Sequence, residues 1–284
     1  VRPILLDTWN YLRCTTTGDS KDPSIVDLFA LNSYSWCNGD NFQTSTYDVL
    51  TSNFAHTNVP VFFSEYGCNR VTPRTFDEVQ ALYSTPMSNS MSGGLVYEYT
   101  QAVNNYGLVN VSSDGSVQLL KDFENLQAQY NKLNYTLLEG LKSTNGSISP
   151  PKCEASLITN KGFETNFTMP VPPPGISAVI QNGLTNPNQG KLVTVSTLTV
   201  SQTVRKSDGS VLSGLAIKVV PDDQFNTASG TSDATSASGT TSSTTGTSTS
   251  AAPAATTSKS AAVRSSFVAP TSLLGLIGAA FWLC

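Results

Sequence analysis

"VPVFFSEYGCN", Val59 to Asn69, is the stretch on which the fold reading turns. Val59, Val61, Phe62 and Phe63 make a short apolar run with the β-branched and aromatic character of a buried strand. The run ends on a lone carboxylate, Glu65, and breaks at Tyr66-Gly67-Cys68. In a parallel barrel, catalytic groups project from the C-terminal ends of strands, so Glu65 stands where a catalytic acid would. The plain alternative is a strand-end carboxylate bridged to an arginine.

The flanking segments extend the pattern in both directions. "DLFALNSYSW" (Asp27 to Trp36) reads as a mostly buried strand, and Tyr47, Leu50 and Phe54 fall at helical spacing in a helix ending near residue 58. Thr75-Phe-Asp-Glu78 is a capping box that predicts a helix through Tyr83. "SGGLVYEYT" (Ser92 to Thr100) is a third strand, and Leu119, Phe123, Leu126, Tyr130 and Leu133 form a helical stripe. Strands alternating with helices predict an α/β fold with a parallel sheet. Three such units cannot close a (β/α)8 TIM barrel, which needs roughly 250 residues. Residues 1–143 are therefore expected to be the C-terminal part of one. Val1 is preceded by no Met and followed by no secretory signal, so an N-terminal truncation is expected.

Residues 144–226 read as a small β-rich extension containing Cys153. Within it Lys191 to Val220 alternates β-branched and polar residues around a turn at Ser207-Asp208-Gly209-Ser210. Residues 227–266, almost wholly Ser, Thr, Ala and Gly, predict a disordered, O-glycosylated stalk. Residues 267–284 end in "SLLGLIGAAFWLC", shorter than the roughly 20 residues of a membrane span. Small residues around Ser260, a spacer and this tail match a GPI-attachment signal, with a plain C-terminal membrane anchor as the alternative.

A net charge of −4 offers no basic patch for nucleic acid. Sequons at Asn110, Asn134, Asn145 and Asn166 suit a secreted chain. Five cysteines form no CxxC, and His56 is the single histidine, so a Cys/His metal site is not expected; no metal and no cofactor is assigned. Cys284 would leave with the tail. Cys14, Cys37, Cys68 and Cys153 remain as an even disulfide set, for which sequence permits three pairings.

Tyrosines collect at the strand ends: Tyr34 just before Trp36, Tyr97 and Tyr99 after the third strand, and Tyr106 in the following loop. Aromatic faces dock sugars, and phenol hydroxyls hydrogen-bond a carboxylate or ring hydroxyls. "FFSEYGCN", with "ALNSYSWC" ahead and "SGGLVYEYTQAVNNYGLV" behind, resembles the fungal cell-wall β-1,3-glucanosyltransferases of glycoside hydrolase family 72. The resemblance runs from Val1 to about Asn134 and into the Cys153 region.

The resemblance implies that Glu65 is the nucleophile of a retaining enzyme, that Tyr34 and Tyr97 line the donor site, and that Tyr106 lies further along the cleft. Arg2 is implied as a substrate-binding residue, with a spacing to Cys14 a few residues long. It also implies disulfides Cys37–Cys68 and Cys14–Cys153, β-1,3-glucan donor and acceptor chains as partners, and a GPI-anchored monomer outside the plasma membrane or in the wall. Two departures stand out. The acid/base glutamate, expected after an Asn at an earlier strand end, has no counterpart here, so the chain as given is expected to be inactive. Glu98 is set aside because strand alternation would turn it away from Tyr97, and Glu78 and Glu124 because they read as helical. The family's cysteine-rich carbohydrate-binding module is also missing. A hydrolytic β-1,3-glucanase and a non-catalytic glucan-binding wall protein are the competing readings.

Overall fold

Glu65 stands on a parallel sheet. A computed structural model describes residues 3–217, apart from 58, 86, 143–147, 189 and 192. Helix α1 (Pro3–Arg13) leads into strands β1 (Phe29–Ser33), β2 (Val61–Tyr66) and β3 (Gly94–Val96), which run parallel in the order β1-β2-β3. Helix α2 (Tyr47–Asn53) crosses from β1 to β2, and α3 (Glu78–Leu82) with a short 3-10 turn crosses from β2 to β3. One face of the sheet is packed: Phe29 and Leu31 from β1, Val61 and Phe63 from β2. Trp9 of α1 closes on Phe29 at 5.0 Å and on Phe54 at 5.5 Å, while Tyr47 sits between Trp36 and Phe63.

A bulge decides where the acid goes. The register pairs Leu31 with Phe63 but Asn32 with Glu65, so β2 carries one more residue than β1 over the same length. Strict alternation would put Glu65 on the apolar face with Val61 and Phe63. The extra residue turns Tyr66 inward, fully buried, and leaves Glu65 half-buried beside Asn32.

Several expectations shift. Helix α2 ends at Asn53, short of residue 58. The capping box does not form: Thr75 Oγ1 donates to Asp77 Oδ2, the Thr75 N–H goes to Asn38 Oδ1, and Phe76 takes a φ of 54°. Asp77 becomes the residue before α3, and Glu78 is buried at 4% exposure. Strand β3 stops at Val96, so Tyr97 and Glu98 lie beyond it. Leu119 belongs not to the helical stripe but to a strand.

That strand joins a second sheet. β4 (Val109–Val111) and β5 (Val117–Leu119) form a hairpin ahead of α4 (Lys121–Tyr130) and α5 (Tyr135–Gly140). β6 (Val204–Arg205) pairs parallel to β5, and β7 (Val211–Leu212) closes the edge. The turn between β6 and β7 falls where the sequence placed it, with the Lys206 N–H on the Ser210 carbonyl and Gly209 at φ 85°. The rest of the alternating run stays mostly irregular. Val193 and Val195 are 86% and 62% exposed, and β-propensity without a face to pack against does not hold a strand. Instead an unforeseen helix, α6 (Ile176–Asn182), interrupts the extension.

Residues 151–160 are tied to α1. Cys14–Cys153 is a disulfide, Thr15 and residues 151–153 exchange backbone hydrogen bonds, and Asp7 accepts from Thr159 and Asn160. Arg2, Asn145, the Ser/Thr-rich residues 227–266 expected to be a stalk, Ser260 and the apolar tail with Cys284 lie outside the described residues. Among the described residues, no helix is long and apolar enough to cross a membrane.

Glu78 carries a pH signature. Burial, with Asp77 beside it, raises its carboxyl from the ordinary 4.5 to about 7. A raised acid is stabilising below its unfolded pKa and loses that contribution as pH climbs through the folded value. The chain is therefore expected to lose on the order of 3 kcal/mol between pH 4.5 and 7 through this group. Asp7 and Asp22, held low despite burial by the donors around them, act only at more acid pH. Glu78→Gln should remove the loss, read as urea midpoints at both pH values; equal losses in both proteins would refute it.

Candidate active site

At the C-terminal end of β2, Glu65 receives one short hydrogen bond. The Tyr34 hydroxyl, one residue past the end of β1, donates to Glu65 Oε2 at 2.6 Å. Burial, reinforced by that bond, raises the Tyr34 phenol well above its usual value, so it stays a donor at every physiological pH. Beside them Ser64 Oγ donates to Asn32 Oδ1 at 2.6 Å, which ties β1 to β2 one step before the acid. Among the described residues Glu65 makes no ion pair.

Three tyrosines form an edge-to-face triangle over this end of the sheet. Ring centroids lie 6.4 Å apart for Tyr34 and Tyr97, 5.7 Å for Tyr34 and Tyr106, and 5.3 Å for Tyr97 and Tyr106. All three are half-buried, which leaves ring surface open to a ligand. Tyr99, also expected here, is 63% exposed and makes no ring contact with the three. Strand alternation cannot decide where Glu98 points, because the strand has ended at Val96. Glu98 is half-buried, and its backbone N–H donates to the Tyr106 carbonyl at 3.0 Å.

What holds the triangle is a residue that sequence reading passed over. Arg74 is 1% exposed. Its Nε donates to Asp122 Oδ2 at 2.6 Å, and Nη1 reaches the carbonyls of Gly67 at 3.2 Å and Tyr97 at 2.8 Å. Nη2 donates to the Tyr106 carbonyl at 2.5 Å, and the guanidinium lies 4.6 Å from the Phe76 ring centroid. One planar fork thus pins the chain just after Glu65 and the backbones of two site tyrosines to helix α4. Gly67 has to be glycine: its φ is 112°, and a Cβ would stand 3.1 Å from Arg74 Nη1. Cys37–Cys68 joins the loops after β1 and β2, as the resemblance implied. Asp122, 48 residues from Arg74, offered no local signal to find it by.

The arrangement resembles proteins already known. A profile of the glucanosyltransferase family, glycoside hydrolase family 72, matches residues 3–134. Those residues belong to family 72. The 1,3-beta-glucanosyltransferase gel2 of Aspergillus fumigatus is 45% identical over 236 residues, 83% of this chain and 49% of that protein. The probable 1,3-beta-glucanosyltransferase GAS3 of Saccharomyces cerevisiae is 44% identical over 200 residues, 67% of this chain and 38% of the relative. The chain thus spans at most about half the length of these relatives. A solved structure of a Saccharomyces cerevisiae Gas2p mutant in complex with laminaritetraose and laminaripentaose superposes with a TM-score of 0.50 at 32% identity. It covers 63% of this chain and 37% of Gas2p. The family 72 segment holds β1 to β5 and the whole tyrosine triangle, whereas β6 and β7 are supplied from beyond it.

Removing the partner of a buried cation is costly. Asp122→Ala should destabilise the chain by about 3–5 kcal/mol, because the Arg74 charge is left buried without its carboxylate. Urea unfolding measures this; a loss below about 1 kcal/mol, the level of an exposed pair, would show that the pair does not carry the site.

Proposed function

We propose that Glu65 is the nucleophile of a retaining β-1,3-glucan glucanosyltransferase, and that this chain supplies the nucleophile side of its cleft. The observation that carries the reading is the 2.6 Å hydrogen bond from Tyr34 to a carboxylate at a parallel strand end, inside a triangle of half-exposed tyrosines. The donated bond orients one oxygen of Glu65 and leaves the other for attack. The three parallel strands would be the last third of a TIM barrel. In support of that, the sheet face opposite Phe29 and Leu31 is open, with Ala30 exposed and Leu95 58% exposed.

In the first step Glu65 attacks the anomeric carbon of an internal β-1,3-glucosyl unit. A second carboxylic acid, about 5–5.5 Å away in retaining enzymes, gives its proton to the leaving oxygen, and the reducing-end fragment departs. In the second step that carboxylate takes the proton of a 3-hydroxyl at another chain's end, whose oxygen displaces Glu65. Two inversions give net retention. Among the described residues no other carboxylate hydrogen-bonds to the three tyrosines, and the proposal assigns the acid/base to a part of the fold that the longer relatives have and this chain does not span. Tyr34 and Tyr97 would face the donor, Tyr106 the sugar beyond, and Arg2 a substrate hydroxyl. Transfer prevails over hydrolysis when the acceptor is held better than water, by stacking and proximity.

The same reading places the protein outside the cell as a monomer on a GPI anchor attached near Ser260, with residues 227–266 as a stalk between membrane and enzyme. No cofactor or metal is invoked.

In a version completed with the missing part of the fold, β-1,3-gluco-oligosaccharides should yield products longer than the substrate, resolved by anion-exchange chromatography. Glu65→Gln should abolish those products while oligosaccharide binding persists; retained transfer would sink the assignment. Products no longer than the substrate would point to the hydrolytic reading. The chain as given should produce neither. Tyr34→Phe should slow turnover about 10- to 100-fold, the worth of one hydrogen bond to a charged group; an unchanged rate would remove Tyr34 from the site.

A further inference from the structure

Three sequons lie among the described residues, each on an exposed Asn, and their settings differ. Asn110 is in β4, paired with Gln118. Asn134 caps α5, its Oδ1 taken by the Leu137 N–H at 3.0 Å, with Thr136 already inside the helix. Asn166 is in irregular chain. Its Oδ1 accepts the Thr168 N–H at 3.0 Å, and its Nδ2, like those of Asn110 and Asn134, makes no hydrogen bond among the described residues.

Aromatic rings lie next to the Asn166 backbone. Tyr11, from α1, donates its hydroxyl to the Asn166 carbonyl at 2.7 Å. The Tyr11 ring stacks on Phe167 at 4.9 Å and 23°, and meets Phe163 edge-on at 5.9 Å and 65°. All three rings are half-buried, so an apolar patch lies open beside the sequon. The catalytic reading makes no use of this patch. It lies on the seam where residues 151–167 dock on α1, close to Cys14–Cys153 and the Asp7 hydrogen bonds.

We propose that Asn166 carries an N-linked glycan whose first sugar packs on the Tyr11, Phe163 and Phe167 rings and clamps the extension to α1. A pyranose presents an apolar face of C–H groups, and covering open aromatic surface with it removes apolar area from water. The two disulfides fit this, because they form in the oxidising compartment that also transfers N-glycans. In the transfer, the anomeric carbon of a lipid-pyrophosphate-linked oligosaccharide forms a bond to Asn166 Nδ2. Its C–O bond to the pyrophosphate breaks, the amide nitrogen loses one proton, and the lipid pyrophosphate leaves.

The test uses the full chain expressed behind a secretory leader in a glycosylating yeast and purified from culture medium or membranes. Occupancy is read by mass spectrometry after amidase release in heavy-oxygen water, which should tag position 166. Thermal midpoints are then compared for protein trimmed to the first sugar and protein stripped by the amidase. The trimmed form should melt about 2–4 °C higher, the shift that a contact of aromatic-pair strength gives in a chain of this size. Phe163→Ala should lose that gap while Asn166 stays occupied. Thr168→Ala, which cannot be glycosylated at Asn166, should show no gap and so account for sugars at the other sequons. An unmodified Asn166, equal midpoints for trimmed and stripped wild type, or a gap that survives Phe163→Ala would overturn the proposal.

Discussion

The site depends on one buried cation having enough acceptors. Arg74 is taken out of water, and a desolvated guanidinium is tolerated only when its N–H groups are satisfied. Here Asp122 supplies the countercharge and the carbonyls of Gly67, Tyr97 and Tyr106 supply the rest. The requirement works in both directions. The carbonyls keep the cation satisfied, and the cation dictates where three separate loop segments lie. Those segments are the ones that follow Glu65 and carry two of the three site tyrosines.

Around that bolt, smaller devices fix the remaining freedom. The bulge in β2 moves Glu65 off the apolar face, and Tyr66 takes the core position instead, its hydroxyl 2.8 Å from that of Tyr130 in α4. Cys37–Cys68 closes the loops above Tyr34 and Glu65, and Gly67 lets the backbone approach the guanidinium. Each acts on the backbone, so the side chains at the mouth of the sheet are held without being buried. Side chains at a binding surface need that combination: fixed direction with an accessible face.

The extension is tied to the α/β part through covalent, polar and strand contacts. The disulfide and Asp7 hold residues 151–160 to α1, while β6 and β7 add to the β4–β5 hairpin and Ser207 hydrogen-bonds Glu124 at the side of α4. Glu124, set aside as a helical acid, thus has a structural task. The residues between these ties pack little, which is why an alternating run such as the one through Val193 and Val195 did not become a strand.

Much was legible along the chain because it rests on near neighbours. The apolar run before Glu65, the βα alternation and the Asp208-Gly209 turn all follow from local pattern and backbone preference. Tyr34, Tyr97 and Tyr106 could be nominated, and the disulfides came from the family resemblance where residue reading alone left three pairings. Local signals also misled where tertiary contacts outbid them: Thr75 to Glu78 looks like a capping box, yet Asn38 takes the Thr75 N–H and the core takes Glu78. Leu119 kept helical spacing with Phe123 but pairs in a strand with Val109. By itself the sequence determined a parallel α/β unit with an acid at a strand end and aromatic residues nearby. Only the tertiary structure decided that Glu65 leaves the core face, that Tyr34 holds it, and that Arg74 pairs with Asp122. Those outcomes depend on register between strands and on charges far apart in the chain, and neither is written in the spacing of neighbouring residues.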